Sequence, residues 1–228
     1  RRRWQQPDFR RDHAFEAADG VRGSAGTAGF GYDTASRITR AGRRIWEWCA
    51  VLFAYIERVI DMEKVEFVPV HSRQQVLALC GMAARIWTEH YTPILGAPQV
   101  EYMVEKYQSI AAVERQMQRE GYEYYLLMAD GQTAGYIGIQ CAEGKLFLSK
   151  LYIDAPFRGK KLSRRALEFL TSLCKERGLS VIWLTVNRHN ASSIAAYDAL
   201  GFQKAREQVT DIGNGYVMDD FIMEYGVA

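Results

Sequence analysis

The 228-residue sequence has no CxxC pair: Cys49, Cys80, Cys141 and Cys174 stand singly, which argues against a structural zinc site and a disulfide framework. With 5 prolines and 19 glycines it is neither collagen-like nor low in complexity. Neither sign of charge dominates, since 29 Lys and Arg face 27 Asp and Glu. Nucleic-acid binding, which needs many phosphate contacts, is therefore not expected. Long apolar runs are missing as well. The run Trp48 to Ile56 falls far short of the roughly 20 residues a membrane span needs, and Glu47 and Glu57 flank it. What is present, 48% hydrophobic and 25% charged residues, suits a soluble globular domain with a substantial core and an appendage.

Charge divides the chain near Met62. Residues 1–61 hold 11 Arg, no Lys and 8 acids, and residues 62–228 hold 10 Arg, 8 Lys and 19 acids. The first part is expected to be an Arg-rich extension, partly disordered, because its first 40 residues lack apolar periodicity. Ile45, Cys49, Leu52, Ile56 and Ile60 recur at helical spacing and predict an amphipathic helix over 45–60. Basic Arg40, Arg43 and Arg44 precede it, but no small-residue cleavage site follows, so secretion is not expected. Arg1 in place of Met suggests a processed or truncated form, with the functional unit starting at Met62.

Regular signals begin at Lys64. Val65 to Val68 is β-prone, and Pro69 ends that strand or marks it as an edge. Ser72 can cap a helix to about His90, and a second helix is predicted from Pro98 to about Glu120. Strands follow over Tyr122 to Ala129, Thr133 to Cys141 and Leu146 to Ile153, joined at Asp130-Gly131 and Glu143-Gly144. The last of these feeds, through Pro156 and the basic turn Arg158, Gly159, Lys160, Lys161, into a helix beginning near Leu162 and Ser163. Such a turn aims backbone N–H groups and a positive helix end at one point, an anion site; an ordinary exposed loop is the alternative. Val181 to Val186 then reads as a parallel strand buried on both faces, followed by Asn187, Asn190, a helix over Ala191 to Leu200, and Gly201-Phe202.

The segments LYIDAPFRGKKLSRRAL and LTVNRHNASSIAAYDALGF carry a resemblance to the GCN5-related N-acetyltransferase superfamily that covers about Lys64 to Tyr225. It implies an α/β (α+β) fold, with a mixed, splayed central sheet of about six to seven strands flanked by about four helices. The acetyltransferase domain is accordingly placed at 62–228. The resemblance also implies acetyl-CoA as acyl donor. Its diphosphate would lie on Arg158, Gly159, Lys160, Lys161, Leu162 and Ser163, and its arm on the backbone of Leu151 and Ile153, with Asn187, Asn190 and Tyr197 also in contact. One departure stands out: Lys161 and Ser163 occupy positions where the family has glycine and Gly or Ala, and glycine there permits close approach or positive φ.

In the resembling enzymes a backbone N–H near Leu151 stabilises the oxyanion, and Tyr197 is the general acid that protonates the departing thiolate. Tyr197 also falls on a core-facing helical stripe with Ile194, so a packing tyrosine is the alternative. Asn190 caps its helix, reaches the cofactor, or does both. The general base is less defined, because Ser149 stands where some relatives carry Glu. Candidates are Asp219, which interrupts the apolar face of Val217, Phe221, Met223 and Tyr225, together with Glu89, His90, Glu101 and Tyr102.

The expectation is thus a cytoplasmic N-acetyltransferase that transfers acetyl directly, in a ternary complex, to a primary amine of a small molecule or peptide. A homodimer is considered, and neither nucleic acid nor membrane is an expected partner. The four cysteines are expected to be buried and not acyl carriers. Two rivals remain: a non-catalytic acyl-CoA sensor or interaction module, and a tether built on the Arg-rich extension.

Overall fold

The computed structural model describes residues 64–227; the extension, its helix at 45–60, Cys49 and the boundary at Met62 lie outside the described residues. Strand β1 (Val65–Pro69) is an edge strand, which is why Pro69 is tolerated in it. Ser72 caps α1 (Arg73–Leu95) in a reciprocal box: its Oγ accepts from the Gln75 N–H at 3.2 Å, and the Gln75 amide oxygen accepts from the Ser72 N–H at 2.9 Å. The helix passes the expected end at His90 and includes Pro93. A proline in the last turn gives up one hydrogen bond but does not stop a helix already propagating. Gly96, at φ 83°, stops it instead.

The single helix expected from Pro98 to Glu120 is two helices, α2 (Ala97–Gln108) and α3 (Ile110–Arg119). Ser109 is extended and its Oγ accepts from the Ala112 N–H at 3.3 Å, so a capping serine inside the apolar periodicity starts a new helix. Gln108 and Gln116 are buried beside this break.

Six further strands and two further helices complete the order: β2 (Tyr122–Ala129), β3 (Gln132–Ala142), β4 (Lys145–Ile153), α4 (Leu162–Arg177), β5 (Val181–Asn187), α5 (Ala191–Ala199), β6 (Gln203–Gly213) and β7 (Tyr216–Gly226). They form a seven-stranded mixed sheet, β1-β2-β3-β4-β5-β7-β6, as the expected fold class requires. The extra helix comes from the break at Ser109. Asp130-Gly131, Glu143-Gly144 and Asn214-Gly215 all take positive φ at both positions, the geometry of tight hairpin turns. None of the helices among the described residues is long and apolar enough to cross a membrane.

All neighbouring strands are antiparallel except β4 and β5. These pair in parallel only through Lys145–Val181, Leu146–Ile182 and Phe147–Trp183. Beyond that point β4 stays registered with β3 up to Ile153, and β5 with β7 up to Asn187, so each strand follows its other neighbour and a wedge opens between them. A bulge lies at the start of the wedge. Leu148 opposes Ile139 and Lys150 opposes Gly138, leaving Ser149 as the extra residue.

The bulge reverses which side chains face which layer. Leu146, Leu148 and Leu151 join the core against α4, whereas Tyr152 packs with the cluster formed by α1, α3 and β2. Lys150 is turned the same way as Tyr152, toward Gln116 of α3. Gly138 makes room for it: a Cβ there would stand 2.9 Å from the Tyr124 ring and 3.1 Å from the Lys150 stem.

The far end of β4 is anchored to α1 by a two-pronged ion pair, with Arg85 donating to Asp154 at 2.6 and 2.7 Å. The Arg85 guanidinium holds the Asp154 carboxyl below its ordinary value of 3.8. Ionised Asp154 therefore adds stability above that value, and the contribution is lost as pH falls through the lower folded value. Arg85→Ala should lower the urea midpoint at neutral pH, and the gap to wild type should close as pH drops below 3.8. Urea titrations across that range measure it.

Candidate active site

The wedge exposes the edge of β4. The Asp154 N–H donates to the Ala134 carbonyl on the β3 side at 2.8 Å. Backbone groups alternate along a strand, so the Tyr152 amide also points to β3, and those of Leu151 and Ile153 point into the wedge. The Ile153 carbonyl is already engaged, accepting from Arg158 Nε at 3.0 Å. Arg158 thus folds back onto the edge from the turn that follows β4.

In that turn Gly159 has φ 80° and Lys161 has φ 59°, ψ 17°. Lys161 therefore adopts the left-handed conformation that glycine takes most easily, at a cost of about 1–2 kcal/mol for a residue with a Cβ. Its carbonyl accepts from the Arg164 and Arg165 N–H groups at 3.0 and 3.2 Å. The N–H groups of Leu162 and Ser163 precede these and belong to the set a helix start leaves unpaired within the helix. The buried Leu162 side chain pins the turn to the sheet. The exposed Lys160 ammonium lies 5.4 Å from the centre of the Phe157 ring.

On the other side of the wedge, Asn190 is 2% exposed and does two things. Its Oδ1 accepts from the Ser193 N–H at 3.2 Å, capping α5, and its Nδ2 lies 3.0 Å from His90 Nε2 of α1. Burial lowers the His90 pKa, and the nearby Arg158 charge lowers it further. Asn187, buried at the end of β5, accepts from the His189 N–H at 3.0 Å. Tyr197 packs edge-on against Phe202 and is pushed well above the ordinary phenol range by burial and by Tyr91. Tyr91 is hydrogen-bonded to Tyr152 at 3.1 Å and also feels the charge of Asp220.

The wedge opens onto a cavity of about 270 Å³ under α1–α3, lined by Ser149, Lys150 and Tyr152 of β4, Thr185 and Asn187 of β5, and Asp220 of β7. Two polar atoms on its wall, Asp220 Oδ1 and Gln108 Nε2, have no hydrogen-bond partner. Asp220 is 8% exposed, and its carboxyl is pushed up to about 6, chiefly by burial and then by the charge of Asp219. Burial lowers the Lys150 ammonium to about 7.

The base candidates named from sequence do not meet in this cavity. Asp219 is paired with Arg188 at 2.7 Å, because the odd-numbered face of β7 looks away from the cavity and the even-numbered face, with Met218 and Asp220, lines it. Glu89 and Glu101 are exposed and do not line the cavity. The Tyr102 hydroxyl donates to the Ile212 carbonyl at 2.6 Å. Ser149 is present, at the bulge. Sequence reasoning missed Asp220, Lys150 and Gln108, and only the strand parity of Asp220 held a usable signal. The expected burial of the cysteines holds for Cys80 and Cys174; Cys141 is half-buried, its Sγ 3.6 Å from Arg177.

Comparison with known proteins fits this geometry. The model of the acetyltransferase (GNAT) family matches residues 84–202. The chain is 32% identical over 88 residues to the [ribosomal protein bS18]-alanine N-acetyltransferase of Escherichia coli (strain K12), a match covering 39% of this chain and 60% of that protein. It is 30% identical over 76 residues to the streptothricin acetyltransferase of Streptomyces lavendulae, covering 32% of this chain and 40% of that protein. Among solved structures, the PaiA N-acetyltransferase of Thermoplasma acidophilum in complex with coenzyme A aligns with a TM-score of 0.60 at 22% identity, over 72% of this chain and 99% of that one. The ribosomal-protein-S18-alanine N-acetyltransferase of Escherichia coli aligns with a TM-score of 0.51 at 21% identity, over 72% of this chain and 94% of that one. With the splayed sheet in place and more than half of its residues inside the family match, the chain belongs to the acetyltransferase (GNAT) family.

Proposed function

We propose that the protein is an acetyl-CoA-dependent N-acetyltransferase acting on a primary amine of a small molecule or peptide by direct attack. The observation that carries this reading is the β4–β5 wedge, which lies between the basic turn at the start of α4 and a cavity lined by a carboxylate with no hydrogen-bond partner. Acetyl-CoA supplies an activated acyl group as a thioester. Arg158 to Ser163 would hold its diphosphate, using the helix-start N–H groups and the basic side chains. The outward amides of Leu151 and Ile153 would hydrogen-bond the arm as an added strand does. Arg158 would then release the Ile153 carbonyl to the arm.

The alkylamine arrives mainly as ammonium, and Asp220, in place of Asp219 or Glu89, is the group suited to take its proton. The nitrogen then forms a C–N bond to the acyl carbon as the C–S bond breaks. Charge that collects on the acyl oxygen is met by the Leu151 N–H, a preorganised donor worth about 3–4 kcal/mol of barrier. Tyr197 gives its proton to the departing thiolate and is reprotonated by the second proton that the nitrogen sheds as the amide forms; burial keeps the phenol protonated until the thiolate forms. The relatives acting on a ribosomal-protein alanine and on streptothricin support an amine acceptor without naming it here. Unpaired cysteines and a need for acetyl-CoA favour the cytoplasm as the compartment.

Two outcomes test the roles. Tyr197→Phe should lower kcat by about 10²-fold or more while coenzyme A still binds, as thiol release and calorimetry would show. If coenzyme A binds but no amine in a broad panel gives turnover, the sensor reading holds instead.

Asp220→Asn should likewise lower kcat/KM by about 10²-fold and remove a wild-type rise in rate through the Asp220 value of about 6. The same variant should be more thermally stable than wild type above that value and equal to it below 3.8, because ionising a buried carboxyl whose pKa is raised costs stability as pH rises between the two. Thermal midpoints across that range supply the check.

A further inference from the structure

We infer that Lys150 and Gln108 form an anion subsite in the acceptor cavity, so that the acceptor is an amine carrying a second, anionic group, a carboxylate or phosphonate-like oxyanion. The inference rests on the acetyltransferase reading above and adds the substrate class to it. Lys150 is 5% exposed, and a lysine buried to that degree is ordinarily matched by a carboxylate. Here the Nζ contacts are long and neutral: Gln116 Oε1 at 3.4 Å, Ser149 Oγ at 3.3 Å, and the faces of the Tyr122 and Tyr124 rings at 5.0 and 5.1 Å. The acid acting on it from the end of α3, Glu120, is itself paired with Arg115 at 2.8 Å.

Gln108 gives the second, independent observation. It is 1% exposed and lines the same cavity, its Oε1 accepts from the Tyr136 hydroxyl at 3.4 Å, and its Nε2 has no partner. The fold thus supplies the wall with donors from β4 and α2, and leaves Lys150 Nζ with only long, neutral acceptors and Gln108 Nε2 with none. Asp220, from β7, supplies an acceptor without a donor. Buried polar groups in native proteins are paired, by protein, water or ligand. A molecule with ammonium at one end and an oxyanion at the other pairs all three groups at once. It would place its nitrogen beside Asp220 and its anion beside Lys150 and Gln108. A cavity of about 270 Å³ admits a ligand of amino-acid size.

The test measures binding and turnover on the same probes: ω-amino carboxylates from β-alanine to ε-aminocaproate, their carboxamides, and matching aminoalkylphosphonates. Calorimetry is run on the full chain saturated with coenzyme A, and thiol release is followed with acetyl-CoA. The best-fitting anionic probe should bind about tenfold or more tighter than its neutral counterpart, the span of a hydrogen bond to a charged group. In Lys150→Met that ratio should fall to about one. In wild type it should shrink as pH rises past about 7 and the ammonium loses its charge, with Glu120, Tyr122, Tyr124 and, across the cavity, Asp220 as the titratable neighbours. This pH series stands even if the variant does not fold.

A preference for carboxylate over phosphonate, or the reverse, identifies the oxyanion. Equal binding of anionic and neutral probes, or a ratio that survives Lys150→Met, overturns the subsite. Anion-selective binding with no thiol release keeps the subsite and removes the acetyltransferase reading. Thiol release with no anion preference does the opposite.

Discussion

Two parallel strands that share only three paired positions organise this molecule. β4 is held by β3 along its length and β5 by β7, and the sheet's twist draws the two apart once Phe147 and Trp183 are passed. The bulge at Ser149 sharpens that divergence. It leaves backbone N–H groups of β4 pointing into a space with no strand, an expensive arrangement unless something extended fills it. The basic turn Arg158 to Lys161 lies at the mouth of that space, Asn190 and Tyr197 on its far side, and the cavity at its inner end.

Charge in the described residues follows the same division. Away from the cavity, four arginines are each matched with an acid: Arg85 with Asp154, Arg115 with Glu120, Arg177 with Glu123 and Arg188 with Asp219. On the cavity wall, Asp220 and Lys150 are each held without an ion-pair partner, and burial moves both toward neutrality. Keeping two such groups costs folding stability. Groups placed at that cost belong to chemistry or recognition more readily than to packing.

Most of the fold was legible because its signals are local. Alternating strands, paired turn residues at Asp130-Gly131 and Glu143-Gly144, and the Ser72 and Asn190 caps each act within a few residues. The wedge was reached only through the family resemblance, and it is present. Ser109 was illegible as a break because the apolar stripe continues on both sides of it. Lys150 was hidden by the bulge: strict alternation puts it on the face of Leu146 and Leu148, and one extra residue sends it to the other. Asp219 draws notice in the sequence because it is an acid on an apolar face, and Asp220 does not. The apolar face packs against the core, and the cavity lies on the other side of the strand, a fact of tertiary placement that no single strand carries.

In the proposed function the amides of Leu151 and Ile153 are free until the acyl donor's arm pairs with them. Amide hydrogen exchange resolved to single residues, with and without saturating coenzyme A, measures this, and the β3-facing Tyr152 amide serves as an internal reference. Fast exchange at Leu151 and Ile153 in the free protein, slowed about tenfold or more by coenzyme A while Tyr152 changes little, is the predicted result. Protection equal to that of Tyr152 in the free protein, or no slowing at saturation, would contradict it.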